Sequence, residues 1–290
     1  MDSLQLLSRI RNIPLVSSKL VDGFLSGNYR SVFRGPGLEF DEVRDYADGD
    51  DIRSIDWNVT SRMGSPYVKT FREEREMALL LMVDVSASLQ TGSGSYKKAD
   101  TAAVVSALLA HSAVHNNDRV GAVFFSDRIE KWVPPMKGRN HLLRLVQDVA
   151  SMEPVGRGSD LSAAIACVEK SMKRRGICII VSDFRMKATF RQMSMLAKKH
   201  DLIAVRITDP SDAGFPESGL MEVQDPESGR ISSSFGFSSA YRRDYGEFWH
   251  ADRIFWEREC RRRGIDSMVV DTEEDPAKAL LSFFKRRKTR

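Results

Sequence analysis

A chain of 290 residues, 42% hydrophobic and 29% charged, is long enough to bury one large core or two modest ones, and its composition is that of an ordinary globular protein. Its 44 basic residues stand against 40 acidic ones, spread along the chain, and a net charge of +4 gives no reason to invoke nucleic acid. Three cysteines without a C-x-x-C pair argue against a disulfide scaffold or a thiolate metal site, and they fit reduced core thiols in a cytoplasmic protein.

Leu4, Leu7, Ile10, Leu20 and Phe24 fall at helical spacing around a break at Pro14, which predicts one or two short amphipathic helices. The opening MDSLQLLSRIRNIPL lacks the uninterrupted apolar segment of a signal peptide. No apolar run later in the chain approaches the length of a membrane span. From Gly27 to Phe71 the chain turns rich in glycine, aromatics and charge, and it reads as an irregular, strand-containing segment. The carboxylates Asp45, Asp48, Asp50, Asp51 and Asp56 could bind a cation. Arg44, Arg53 and Arg62 alternate with them, however, and arginine–carboxylate forks are expected to tether these loops, with Tyr46 and Trp57 as apolar anchors. The boundary is drawn at 1–75 for this N-terminal part and 76–290 for the main domain.

The stretch ALLLMVD, Ala78 to Asp84, is apolar without a helical period and reads as a strand buried on both faces. The TGSGSY loop that follows lacks the Lys-Ser/Thr ending of a phosphate-cradling loop. A helix with a small-residue face is expected over 97–115, a strand over 119–126, an edge strand over 129–133 and a helix over 139–152. A Pro/Gly turn then leads to Ser159 and Asp160, and a helix runs to Arg175 with Gly176 closing it. A second apolar strand, 177–182, ends in Asp183. A helix (190–199), a strand (202–207), a hairpin excursion within 209–237 around the turn Asp225–Gly229, a long helix (238–263), a strand (267–270) and a closing helix (276–285) complete the chain. Alternation of this kind predicts an α/β fold, a mostly parallel central sheet covered by helices on both faces. The basic clusters at 261–263 and 285–290 read as solvated helix ends.

In open α/β sheets ligands sit beyond the carboxyl ends of the strands. Three loops meet that edge, offering Asp84, Ser86 and Ser88; Ser159 with Asp160; and Asp183. Two or three carboxylates and three hydroxyls are hard oxygens suited to Mg²⁺ or Mn²⁺. Taken singly, Ser159 is equally a helix N-cap, and Ser86, Ser88 and Asp183 are equally turn residues.

The pattern Asp84-x-Ser86-x-Ser88, followed by Ser159 and Asp183, resembles the metal-ion-dependent adhesion site of von Willebrand factor A domains, which usually carry threonine at the position of Ser159. Together with GNYRSVFRGPGLEFDEVRDYADGDDIRSIDWNVTSR, VKTFREERE, DRVGAVFFSD, VPPMKGRNH and IIVSDF, it is similar to bacterial proteins of the "domain of unknown function 58" family over about residues 6–184. The resemblance implies a von Willebrand factor A-like, Rossmann-type fold and a Mg²⁺ (or Mn²⁺) site of Asp84, Ser86, Ser88, Ser159 and Asp183, the last two direct or through water. It also implies work beside a MoxR-type AAA+ ATPase in the maturation or assembly of other proteins.

The function expected is a non-enzymatic, metal-dependent adaptor that grips a carboxylate of a client protein. A metal-dependent phosphatase or nuclease could use the same oxygens, but all five histidines (111, 115, 141, 200 and 250) lie outside the three loops. No second acid stands two residues after Asp84 either. A metal-free structural interaction module is the third alternative.

Overall fold

The structure, a computed structural model, describes residues 39–72, 77–186, 189–215, 217, 219–235 and 238–288. The helices expected before Phe24 lie outside the described residues. By its contacts the chain divides into two compact units, one comprising residues 27–76 and the other the remainder.

In the smaller unit, β1 (Glu39–Asp45) and β2 (Tyr67–Arg72) pair antiparallel. A 3-10 turn at Ile52–Ser54 and a short helix, α1 (Trp57–Met63), lie between them. The acidic residues here fasten backbone. Asp51 and Asp56 cap the two helical turns through their carboxylates, Arg44 forks onto Asp50 with two contacts of 2.7 Å, and Lys69 lies 3.2 Å from Asp56. Trp57 does not supply the expected apolar anchor: it is 67% exposed, and the Asp56 cap rather than a core contact fixes the start of its helix. Tyr46 is half-buried, its hydroxyl donating to the Asp50 carbonyl at 3.4 Å.

The larger unit is built on a six-stranded sheet of β3 (Ala78–Asp84), β4 (Arg119–Phe125), β5 (Ile129–Met136), β6 (Ile177–Ser182), β7 (Asp201–Thr208) and β10 (Asp266–Asp271), in the order β10-β7-β6-β3-β4-β5. All neighbours are parallel except β4 and β5. The apolar strands have no polar face because helices cover both sides of the sheet. Leu80, Met82, Val123, Phe125, Cys178, Ile180, Leu202 and Ala204 pack in one cluster with residues of α4 (Leu161–Ser171), α5 (Phe190–Lys199) and α7 (Ser239–Arg262). Helix α2 (Lys98–His115) lies against β3, β4, β6 and β7, and its outer side is covered by α3 (Arg139–Ala150) and α8 (Pro276–Lys288). Its alanines are therefore buried almost all round rather than along one stripe. The α/β class expected from the sequence is the class observed.

Several boundaries differ for physical reasons. Strand β5 continues through Pro134 and Pro135, since an outer edge strand loses no ladder bond to proline. Opposite it, Gly121 passes so close that a Cβ would sit 2.7 Å from the Val133 carbonyl oxygen. Helix α4 stops at Ser171 with Met172 as its C-cap, so Gly176 does not end it. Gly176 instead lets the chain enter β6 against β3, where a Cβ would meet the Ala78 oxygen at 2.5 Å. The excursion after β7 comprises a short helical turn, α6 (Pro210–Ala213), and the antiparallel hairpin β8 (Leu220–Gln224) and β9 (Ile231–Phe235).

The cysteines are free, and burial pushes the Cys178 thiol well up and that of Cys260 to about 12, as befits inert core thiols. No described helix is long and apolar enough to cross a membrane.

Candidate functional site

Strand β3 delivers Asp84 to the carboxyl edge at the centre of the sheet, and its ladder to β4 is extended by Val85 N donating to the Phe125 oxygen at 2.9 Å. Asp84 is 2% exposed. Its Oδ1 accepts from the Ser86 amide at 2.9 Å, and its Oδ2 accepts from the hydroxyls of Ser159 at 2.9 Å and Ser182 at 2.7 Å. The Ser86 and Ser88 hydroxyls lie 3.2 Å apart, both buried. Burial first, then the negative charge of Asp183, raises the Asp84 carboxyl to about 6, against the pull of hydrogen bonds from Ser182 and Ser86. The structure brings Asp84 together with Ser86, Ser88 and Ser159, and it sets Asp183 just past the end of the neighbouring strand β6, where its charge acts on Asp84.

Ser159 is not the N-cap of α4. Asp160 takes that role, accepting from the Ser162 amide, which frees the Ser159 hydroxyl to turn to Asp84. The loop that carries it is pinned to its neighbours. The Gly156 amide donates to Glu130 Oε1 at 2.8 Å, the Ser126 hydroxyl donates to the same atom at 2.5 Å, and the Asp160 amide donates to the Ser126 carbonyl at 2.7 Å. Ala87 N closes the group by donating to the Arg157 oxygen at 3.0 Å. Gly156 lets the loop approach closely, since a Cβ would lie 2.2 Å from Ser126 Oγ and 2.4 Å from Asp127 Oδ1 and would displace those side chains.

Asp183 is turned by Phe184, whose φ of 55° is a conformation non-glycine residues rarely adopt. The bend is held by the Phe184 amide on Ser182 Oγ at 2.9 Å and by the Phe184 ring 4.9 Å from that of Trp256. Beside it lies a buried cation that sequence reasoning missed. Lys98, 0% exposed at the first turn of α2, places Nζ 3.4 Å from Asp183 and 3.0 Å from Asp212, and Arg185 also bonds Asp212. Asp209 ties the TGSGSY loop to the same edge by accepting from the amide and hydroxyl of Ser93 and the hydroxyl of Thr272.

The family model described as "Protein of unknown function DUF58" matches residues 42–254. The chain belongs to the DUF58 family. Among its relatives, this DUF58 chain is 31% identical over 290 residues to the uncharacterized protein Rv1480 of Mycobacterium tuberculosis, covering 99% of this chain and 91% of that one. It is 29% identical over 159 residues to the uncharacterized protein MAV169 of Mycobacterium avium, covering 54% and 94%. Similar solved structures include BatB from Bacteroides thetaiotaomicron (14% identity, TM-score 0.49, 74% of this chain and 100% of that one) and the VWA domain of SpRpn10 (9%, 0.42, 71% and 94%). The metal reading for this DUF58 protein rests on its own side chains.

Among the described residues, no group of three or more His, Cys, Asp or Glu is arranged to hold a metal. The candidate shell is of another kind, two carboxylates supplemented by hydroxyls. It fits a hard cation in two respects. The charge of Asp183 raises the buried Asp84 carboxyl, and the ion pairs of Asp183 among the described residues, with Lys98 and Arg185, are shared with Asp212. The partly buried Glu227 carboxyl takes a hydrogen bond from the Ser88 hydroxyl, while one of its oxygens, Oε1, is enclosed without a partner. A divalent ion would answer both.

Proposed function

We propose that this DUF58 protein is a non-enzymatic interaction module whose grip on a partner runs through Mg²⁺ or Mn²⁺. Asp84, Ser86 and Ser88 would hold the ion, with Ser159 and Asp183 direct or through water, and a carboxylate from the client would take a remaining position. The observation that carries the reading is the meeting of the Asp84 carboxylate with hydroxyls from two distant loops at one sheet edge, in a setting that leaves it short of positive charge. Hard oxygens with uncompensated negative charge favour such an ion. The family resemblance points to a MoxR-type AAA+ ATPase as the working partner, and the free thiols suit a cytoplasmic setting. The test is capture of a MoxR-type ATPase or a client from the native host in Mg²⁺, with elution by EDTA. Capture that survives both EDTA and Asp84→Ala refutes the metal-bridged mechanism.

A further inference from the structure

Strand β10 is the outer strand of the sheet on the side away from β5, and among the described residues no strand pairs with its far edge. The two edges of the sheet differ. Pro134 and Pro135 remove donors from β5, whereas β10 (DSMVVD) carries no proline. The ladder tells which groups β10 leaves open. The Thr272 amide donates to the Thr208 oxygen at 2.9 Å, and successive residues of a parallel strand turn their amide and carbonyl to opposite sides. Met268 and Val270 therefore bond inward to β7, and Ser267 and Val269 point amide and carbonyl outward. This edge is the floor of a groove of about 750 Å³. Helix α7 walls one side with Arg253, Glu257 and Arg261, spaced four apart on one face, and α8 walls the other with Phe283, Arg286 and Arg287. Arg261 and Arg286 come from the two basic clusters that read as solvated helix ends in the sequence, and the fold brings both to one strand. Arg287 lies 2.6 Å from Asp201 and 2.8 Å from Asp266, and Arg253 lies 3.7 Å from Glu257. Along the groove four arginines stand against two carboxylates, those of Glu257 and Asp266, which leaves it positive. A second copy of the chain would set the same arginines against one another. Open backbone groups between cationic walls suit an extended acidic peptide instead.

We propose that the outer edge of β10 is a docking site for an acidic, extended segment of another protein, which adds to the sheet as a further strand with its carboxylates against the arginines of α7 and α8. The site sits on the amino-terminal half of β10, away from the carboxyl ends of the strands that hold Asp84, and it stands whether or not those take a metal.

The test uses the full chain in EDTA, so that no metal can grip a carboxylate, and a fluorescein-labelled peptide of alternating glutamate and valine, about ten residues long, read by fluorescence anisotropy. The wild type should bind it. Arg261→Glu should weaken binding about tenfold, and adding Arg253→Glu should weaken it further. Val269→Pro removes only an outward amide, so the protein should keep its circular dichroism and lose about tenfold or more in affinity. A peptide N-methylated throughout, with no amide to donate, asks the same question of the unaltered protein and should bind as weakly. Nuclear magnetic resonance should show the peptide slowing amide exchange at Ser267 and Val269, with Met268 and Val270 slow in both states. Affinity that survives both Val269→Pro and N-methylation is charge adhesion and overturns strand addition, as does a wild type that binds no peptide. A wild-type dimer in ultracentrifugation that Val269→Pro breaks would give the edge to a second copy and overturn the proposal.

Discussion

Asp84→Asn keeps the shape of the central side chain and removes its charge. An amide oxygen can still accept from the Ser86 amide, and the Ser159 and Ser182 hydroxyls can rotate to accept from the new NH₂ group. In the metal-free wild type the buried carboxyl titrates at about 6 rather than 3.8. The folded state thus holds its proton more tightly than the unfolded chain does. This contribution to stability is complete below about pH 3.8, is lost as pH rises through 6, and is flat above. The gap is worth about 3 kcal/mol, an upper figure for the penalty of the buried charge at pH 8. In EDTA at pH 8, Asp84→Asn should therefore be more stable than the wild type by up to about 3 kcal/mol, and the two should converge near pH 4. Mg²⁺ at about 1,000 times its Kd should reverse the ranking, since it then adds about 4.1 kcal/mol to the wild type and nothing to a variant that cannot hold it. Urea unfolding followed by circular dichroism, in EDTA at both pH values and then in Mg²⁺ at pH 8, measures all three terms. A variant less stable than the wild type in EDTA at pH 8 would show that Asp84 is a satisfied structural carboxylate, and the charge argument would fail.

Lys98→Met should cost about 3 kcal/mol by chemical denaturation, because it leaves Asp183 and Asp212 in the interior without their shared ammonium. Mg²⁺ should recover part of that loss, and a change below about 0.5 kcal/mol would mean the buried cation is dispensable. Gly156→Ala should destabilise by about 1–3 kcal/mol and weaken Mg²⁺ binding together, since its Cβ must displace Ser126 Oγ or the loop that carries Ser159. Unaltered Mg²⁺ affinity in a folded Gly156→Ala protein would show that this loop does not position the site.

Much of the fold is legible because its strands are apolar on both faces and end abruptly. ALLLMVD and ICIIVS can only be central strands, and parallel neighbours put Asp84 and Asp183 at one edge without further information. What escapes the sequence depends on register and depth. Ser182 looks like the last residue of a strand; it reaches Asp84 only because Val83 pairs with Val181 in parallel register, which sets the next residues side by side. Lys97 and Lys98 are indistinguishable as letters, yet the first is exposed and the second is wholly buried against two aspartates. Ser159 reads as a cap because the sequence does not say that its neighbour Asp160 will take the amide.

The excursion that carries the hairpin meets the site at its root. It leaves the sheet through α6, whose Asp212 binds both Lys98 and Arg185, and it returns through α7, where Trp249 lies with its ring 4.2 Å beneath the Arg185 guanidinium. Root and return are held together by Phe215, edge-on to Tyr241 and Tyr245, and by the Tyr245 hydroxyl donating to the Ser211 oxygen at 3.3 Å. Arg185 follows Asp183 by two residues, and its Nε lies 3.9 Å from the Asp183 carboxylate. The ion cluster around Lys98 is buried too deeply to be a surface ornament, and removing one partner of such a cluster is costly. The root of the hairpin and Asp183 thus belong to one electrostatic unit, so a change at Asp212 acts on the charges that set Asp183 in place.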